Sequence, residues 1–434
     1  MKLPRLFLFY FFTFSVLFPP IVSAEEFDES ENIIDIFGFV AVSQSNTNAQ
    51  SSWLNGGFGR FDGGASSLNN SSFTQLEVQL ALEWSISDSA FIVIHTRANN
   101  ESSRENSNEN PNHSTQSFGL VEGYIDYSIY TDETSDYSLQ LGQTFLTSSQ
   151  ENTNPLWQSP YTINFSTWNS WIAHEFRPIG LNFNYQFETF EGDSISFGIG
   201  AFIGNDSLGS QLVWGGWRVS HRLSVSNEVL PLGPLFTLED GAQFSDQRDD
   251  GSKTFSNDLD DRFGFHALVK WQVSDLFNVK LSYVDNNGDR KLWRGEYAWD
   301  TSFVNLGSKW QINQNWEILG EWSYGKTGMG ELPISVDVDF ENTYFIASWH
   351  QASTRLSLRI ESFSLAEKDF SLAENNDEKG QAWTVSWIYQ QQSPWRFAME
   401  YTALKTENTA QSQSGFNAKN NDKLFSLEIR REFN

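Results

Sequence analysis

The side chains best able to do work here are charged groups that recur on every second position of apolar stretches. The basic set is Arg97, Lys270, Lys280, Lys309, Arg355, Arg359, Arg396 and Arg430. The acidic set is Glu77, Glu83, Glu188, Glu317, Glu321, Glu361, Glu400 and Glu428. A period of two puts such residues on one face of a strand. Facing an enclosed space, both signs together set a transverse field that favours polar solutes over apolar ones. Paired across strands, the same charges stiffen a wall. Both roles can hold together.

Covalent chemistry has little support. The chain has no Gly-x-Ser-x-Gly, no His-Glu-x-x-His and no phosphate-binding glycine loop. His95, His113, His174, His221, His266 and His350 are scattered. His95 or His266 could serve a serine nucleophile only from a lipid-facing position, and parity turns His266 to the polar side. No catalytic residue is expected.

Two connecting segments carry further candidates. Segment 146–173 holds Trp157, Tyr161, Phe165, Trp168 and Trp171 and runs into Glu175 and Arg177. Its aromatics could stack on solutes, narrow a passage or pack the loop on a wall. Residues 166–173 suit a short helical turn, with a strand expected from His174. Segment 206–261 spans 56 residues, far beyond an ordinary connection, which marks a functional or plugging element. It contains Trp214, Trp217, Arg218, His221 and Arg222, then Asp246, Asp249, Asp250, Asp258, Asp260 and Asp261. Carboxylates in 246–261 could ligate Ca²⁺, although the spacing is not that of an EF-hand and a solvated acidic loop is the simpler reading. Arg177, Arg218, Arg222, Arg290, Lys291 and Arg294 could form an anion-attracting cluster. No organic cofactor is implied.

These residues need strands to hold them. The last stretch shows the pattern: Phe425, Leu427, Ile429 and Phe433 alternate with Ser426, Glu428, Arg430 and Glu432. Two faces imply two solvents. An open final strand would leave unpaired backbone groups, so Ile33 to Val42 is the expected partner and the sheet closes on itself. Between them lie seven hairpins joined by long polar loops. The count is 16 strands, an even number, with both termini at the short-turn end. Trp84, Trp271, Trp310 and Trp349 sit just before short turns, and Trp316 and Trp395 just after. Such placement fits an interfacial aromatic girdle. The competing reading is core aromatics in a soluble sandwich.

Residues 1–24 read as an export signal: Lys2 and Arg5, an apolar run from Leu6 to Phe18, Pro19-Pro20, then Val22-Ser23-Ala24. The run is too short for a membrane anchor. A short segment, 25–32, would precede one domain, 33–434. The chain lacks Cys and carries a formal charge of −27, which excludes a disulfide framework and argues against nucleic acid. Aromatics make up 15% of it, yet long apolar runs are missing. A wall one strand thick, apolar outside and polar inside, gives that mixture.

With these elements the chain resembles a Gram-negative outer-membrane porin over Ile33 to Asn434. The resemblance implies an all-β transmembrane antiparallel barrel with short periplasmic turns, long extracellular loops and a constriction from the third long loop. It implies passive diffusion of small hydrophilic solutes, outer-membrane lipid around the wall and a homotrimer. A substrate-specific channel for phosphate, another anion or a carbohydrate is the alternative, and an outer-membrane enzyme or adhesin the third reading. The terminal Phe of such proteins is matched by Phe433, one residue early, and Arg431 interrupts the apolar face. Expected pore-lining or constriction residues are Arg97, Trp168, Trp171, Arg177, Trp217, Arg218, His221, Arg222, Lys270, Lys309, Glu317, Glu321, Arg355, Arg359, Glu361, Arg396, Glu400, Glu428 and Arg430.

Overall fold

The computed structural model describes residues 33–65, 70–100, 115–189, 192–253, 258–293, 295–371, 374–390 and 394–433. The expected signal, residues 25–32, Arg294 and Asn434 lie outside them. So do the side chains of Asp249 and Asp250.

Sixteen strands form one closed antiparallel barrel in sequence order. They are β1 (Ile34–Thr47), β2 (Ser71–Ser87), β3 (Ala90–Asn99), β4 (Phe118–Thr131), β5 (Ser135–Gln143), β6 (Ile179–Glu188), β7 (Ser194–Ile203) and β8 (Gly264–Val273). They continue with β9 (Phe277–Asp285), β10 (Asp300–Gln311), β11 (Trp316–Glu331), β12 (Ile334–Gln351), β13 (Thr354–Glu367), β14 (Glu378–Gln390), β15 (Trp395–Asn408) and β16 (Lys419–Phe433). β1 pairs with β16, Gly38 opposite Phe433 and Thr47 opposite Leu424, so neither edge is left open.

Alternation decides which solvent each side chain meets. On β16, Leu427, Ile429 and Phe433 point outward, while Leu424, Ser426, Glu428 and Arg430 are buried inside. The outer surface carries exposed Leu76, Leu80, Leu181, Ile199, Leu281, Leu306, Leu358 and Ile360. That is the apolar belt a barrel turns to lipid. Trp84, Trp271, Trp310, Trp316 and Trp395 are exposed beside the short turns, and Trp316 stands opposite Trp349. The Arg431 anomaly has an explanation: its guanidinium lies 5.6 Å from the centre of the Trp395 ring in that girdle.

Three local expectations need correction. The strand expected from His174 begins at Ile179, because residues 167–175 are a helix, α1 (Thr167–Glu175), capped by Ser166, whose side chain accepts from the Asn169 N–H. One of the long polar loops expected between hairpins, the one joining β11 to β12, shrinks to Leu332 and Pro333, since these strands stay paired up to Glu331 opposite Ile334. The glycines and proline there suggested a longer break than the ladder makes. The inner face is not polar throughout. Near the long loops it turns apolar, with Phe303, Val338, Phe340, Phe363, Leu365 and Leu404 all buried.

Candidate functional site

That apolar upper wall meets the inward loops. Loop 144–178 (L3) and loop 204–263 (L4) both enter the barrel. So does loop 48–70 (L1), which sequence reading took for a plain polar loop. Trp168 and Trp171 of α1 stack edge-on against Phe303 at 5.2 and 5.6 Å, and Trp171 meets Phe340 at 5.2 Å. Trp217 of L4 packs 6.1 Å from Phe363 and 6.4 Å from Trp168. Second helix α2 (Ser210–Gly215) sits beside α1. The Glu175 carboxylate joins the two, accepting from the Trp171 indole (2.6 Å), the Ser210 hydroxyl (3.1 Å) and the Gln211 N–H (3.0 Å). Burial pushes that carboxyl up. L1 adds Arg60, which bonds the Gly215 carbonyl and pairs with Glu378 at 2.7 Å. Together these loops make a folded plug whose apolar core is continuous with the upper inner wall of the barrel.

Below the apolar tier, the charged wall grips the backbone of L3. Arg359 is fully buried and lies at the centre. It pairs with Glu151 of L3 and with Glu361, both at 2.7 Å, and donates to the carbonyls of Asn164 (2.8 Å) and Phe165 (3.0 Å). Glu361 accepts from the Thr167 N–H at 2.7 Å, and Glu400 from the N–H groups of Ile163 (2.6 Å) and Asn164 (3.2 Å). Glu321 accepts from the Gln150 N–H and the Tyr344 hydroxyl. Glu317 holds Lys309 at 2.8 Å, Arg355, and the Tyr161 hydroxyl at 3.2 Å. Arg396 pairs with Glu428 at 2.5 Å and reaches the Thr162 carbonyl. Arg430 pairs with Glu428 at 3.2 Å and holds the Gln158 side chain. Around Arg359 the pairing survives burial because every guanidinium nitrogen is bonded, whereas the Arg430 Nε is buried without a partner among the described residues.

A second basic group lies higher, around His174. Arg97 donates to the Leu223 carbonyl and pairs with Glu77 at 3.5 Å. Arg177 bonds the Ser224 carbonyl and covers the Phe145 ring at 4.3 Å. Arg218 covers Trp53 at 4.4 Å and donates to Gln211 at 2.6 Å. Arg222 grips Glu228, and His221 bonds Asn164 at 3.0 Å. Burial, with Arg218, Arg222, Arg177 and Arg97 around it, holds the His174 imidazole well below its usual range. The proposed anion cluster does not assemble as a whole. Arg290 and Lys291 stand apart in the connection between β9 and β10, paired with Asp337 of β12 and with Asp289.

On the opposite arc, β4 to β9, a cavity of about 340 Å³ remains between the wall and residues 145–148. Its wall is rich in amides. A hydrogen-bonded row crosses it, from Asp126 to Gln140 (3.4 Å), to Asn182 (3.2 Å), to His266 (2.8 Å). Lys270 and Lys280 also line it and stand directly opposite one another on β8 and β9. Lys280 donates to the Thr147 and Ser149 carbonyls. Lys270 makes no hydrogen bond or ion pair among the described residues.

Sequence reasoning missed Glu151, Arg60, Tyr344 and Glu378. Glu151 had a signal, being the lone charged residue of 146–173. The acidic end of L4 brings together Asp258 and Asp260 with Asp206, their carboxylate oxygens within 4.8 Å of one another. Asp246 is not in this group.

No family model matches the chain, and no curated protein does. Solved structures do. The outer-membrane channel DcaP of Acinetobacter baumannii superposes with a TM-score of 0.51 at 10% identity, over 94% of this chain and 99% of that one. An anion-selective porin from Comamonas acidovorans gives 0.50 at 12% identity, over 93% and 100%. The chain therefore has the 16-strand barrel fold of outer-membrane porins.

Proposed function

We propose that this protein is an outer-membrane diffusion channel for small hydrophilic solutes, narrowed by L3 and L4, and that it does no chemistry. The observation that carries this reading is the polar cavity left between L3 and the β4–β9 wall, inside a barrel whose exterior is apolar. A barrel of this strand number is too wide for its own side chains to fill. Here loops fill much of it and leave one arc polar. Reconstitution in planar bilayers tests the reading. Small current steps are expected, growing when residues 207–225 are deleted. A reconstituted protein that passes no ions even after that deletion would sink it.

A substrate-specific channel is favoured over a general one by the plug, and an anion over a carbohydrate by the facing pair Lys270 and Lys280. Like charges placed opposite each other cost stability unless something negative visits them. Block of the current by inorganic phosphate but not by maltose would support the anion reading, and the reverse would favour sugar. A homotrimer is the proposed assembly, checked by native mass spectrometry. Ca²⁺ is the ion that Asp206, Asp258 and Asp260 would take, and calorimetric titration with CaCl₂ that gives no heat removes it.

A further inference from the structure

A groove on the outer wall, unrelated to the lumen, has a graded chemistry set by strand register. Three rows of facing residues cross β12 to β16. The row deepest in the apolar belt is Phe345, Ile360, Trp383, Ala403 and Lys423. The next row toward the long loops is Thr343, Ser362, Gln381, Lys405 and Asn421, and the uppermost is Glu341, Ser364, Lys379, Glu407 and Lys419. Across β12 to β14 the wall thus passes from large apolar, to uncharged polar, to a row that carries charge, and β15 and β16 add lysines at all three levels.

The small side chains of the middle row leave room. Two adjoining cavities, of about 610 and 450 Å³, share Thr343, Ser362, Gln381 and Lys405. The upper one reaches Lys379, Lys419 and Asn421, and the lower one reaches Phe345, Ile360 and Trp383. The charges at the top do not cancel. Lys379 and Lys419 both bridge to Glu407, at 3.1 and 3.4 Å. Glu341 is occupied by the Trp322 indole at 2.8 Å. The ammonium groups of Lys405 and Lys423 have no partner among the described residues, and both side chains are exposed. A chain of net charge −27 thus gathers four lysines at one spot, Lys405, Lys379 and Lys419 above an apolar trough and Lys423 at its end beside Ala403.

We infer that this groove seats a lipid that bears phosphate on its head group, drawn from the leaflet on the long-loop side. Its phosphate meets Lys405 and Lys423, with Lys379 and Lys419 beside them. An acyl chain lies in the trough between Phe345, Ile360 and Trp383, over Ala403. Cationic side chains at a membrane surface attract anionic head groups, and apolar surface takes the tail. The inference requires the barrel to sit in a membrane but not to conduct, so failure of the channel reading leaves it standing.

Native mass spectrometry of the full chain in detergent, with added bisphosphorylated lipid A, is the test. Wild-type protein should retain one lipid, and its dephosphorylated form should bind about tenfold more weakly or worse. The double variant Lys405→Glu/Lys423→Glu should lose binding by a similar factor, and Lys405→Arg/Lys423→Arg should keep it. Ala403→Trp, filling the trough, should weaken binding with the lysines intact. All of these positions face outward, and strand content by circular dichroism checks that each barrel has folded. Equal binding of the dephosphorylated lipid overturns the inference. So does undiminished binding by the charge-reversed variant, or a cross-link at residue 405 to a second copy of the chain in native membranes.

Discussion

Along β11 to β16 the inner wall presents Glu317, Arg359, Glu361, Arg396, Glu400 and Glu428, and L3 is bound to nearly every one of them. Along β4 to β9 it presents Asp126, Gln140, Asn182, Asn184, Lys270 and Ser282, and a cavity lies in front. Both arcs are polar faces of amphipathic strands, and parity alone cannot tell them apart. What differs is charge density. Buried carboxylates must find donors, and the backbone N–H groups of a loop supply them. The dense arc therefore recruits the loop, and the sparse arc keeps a cavity in front of it. In this barrel, strongly charged wall residues are clamps, while neutral amides and the facing pair Lys270 and Lys280 line the cavity.

The comparison breaks most decisively at Arg359. Arg359→Ala leaves Glu151 and Glu361 buried with no cation between them, a loss of about 3–5 kcal/mol. L3 should come off the wall. Single-channel conductance should rise several-fold, and added protease should cut within 144–178. Unchanged conductance with an uncut loop would mean that the aromatic tier alone holds the plug.

Trp168→Ala tests that tier. Trp168 is buried among Trp171, Trp217 and Phe303, and its loss should cost about 3 kcal/mol, the lower end for such a change because loops relax more readily than a strand core. Thermal unfolding in detergent should show an early loop transition, with the barrel melting unchanged. A single shifted transition would show that plug and barrel unfold together.

The barrel was readable in advance, and the plug largely was not, for reasons visible in particular residues. Phe425, Leu427 and Ile429 alternate with Ser426 and Glu428, and a period of two is local information. The partners of Arg359 are 208 positions away at Glu151 and 195 at Asn164, and no local pattern links them. The apolar inner positions Phe303, Phe340 and Phe363 broke the polar parity and were the available clue, because only an inward apolar loop can cover them. L1 concealed its role differently. Its Ser, Asn and Gly content reads as solvated coil, yet Arg60, Phe58 and Phe61 are buried against L4 or within the shared core.

Acidity acts on L4 through Asp206, which lies beyond the end of β7. Burial, with Asp260 and Asp258 close by, pushes its carboxyl up to about 7. The folded value exceeds the unfolded one of about 3.9, so the folded form binds the extra proton. This contribution to stability is full below pH about 4 and is lost as pH rises through about 7. Protease sensitivity of segment 206–261 should therefore increase between pH 5 and 8, and Asp206→Asn should flatten that rise. A pH-independent cleavage pattern in the wild type would reject the linkage.

Lys270 gives the smallest and most selective effect, because it has no hydrogen-bond or ion-pair partner to lose among the described residues. Lys270→Glu replaces a repulsive facing pair with an attractive one across β8 and β9, so the barrel should be no less stable. Such a cross-strand change is worth about 0.2–1 kcal/mol. The passage should respond more clearly than the fold. Reversal potential in a KCl gradient should shift toward cations, while conductance changes by less than about twofold and Arg359-type loop release is absent. If Lys270→Glu leaves the reversal potential unchanged while Glu400→Gln on the clamped arc moves it, the assignment of the two arcs is inverted, and solute runs along the charged wall instead.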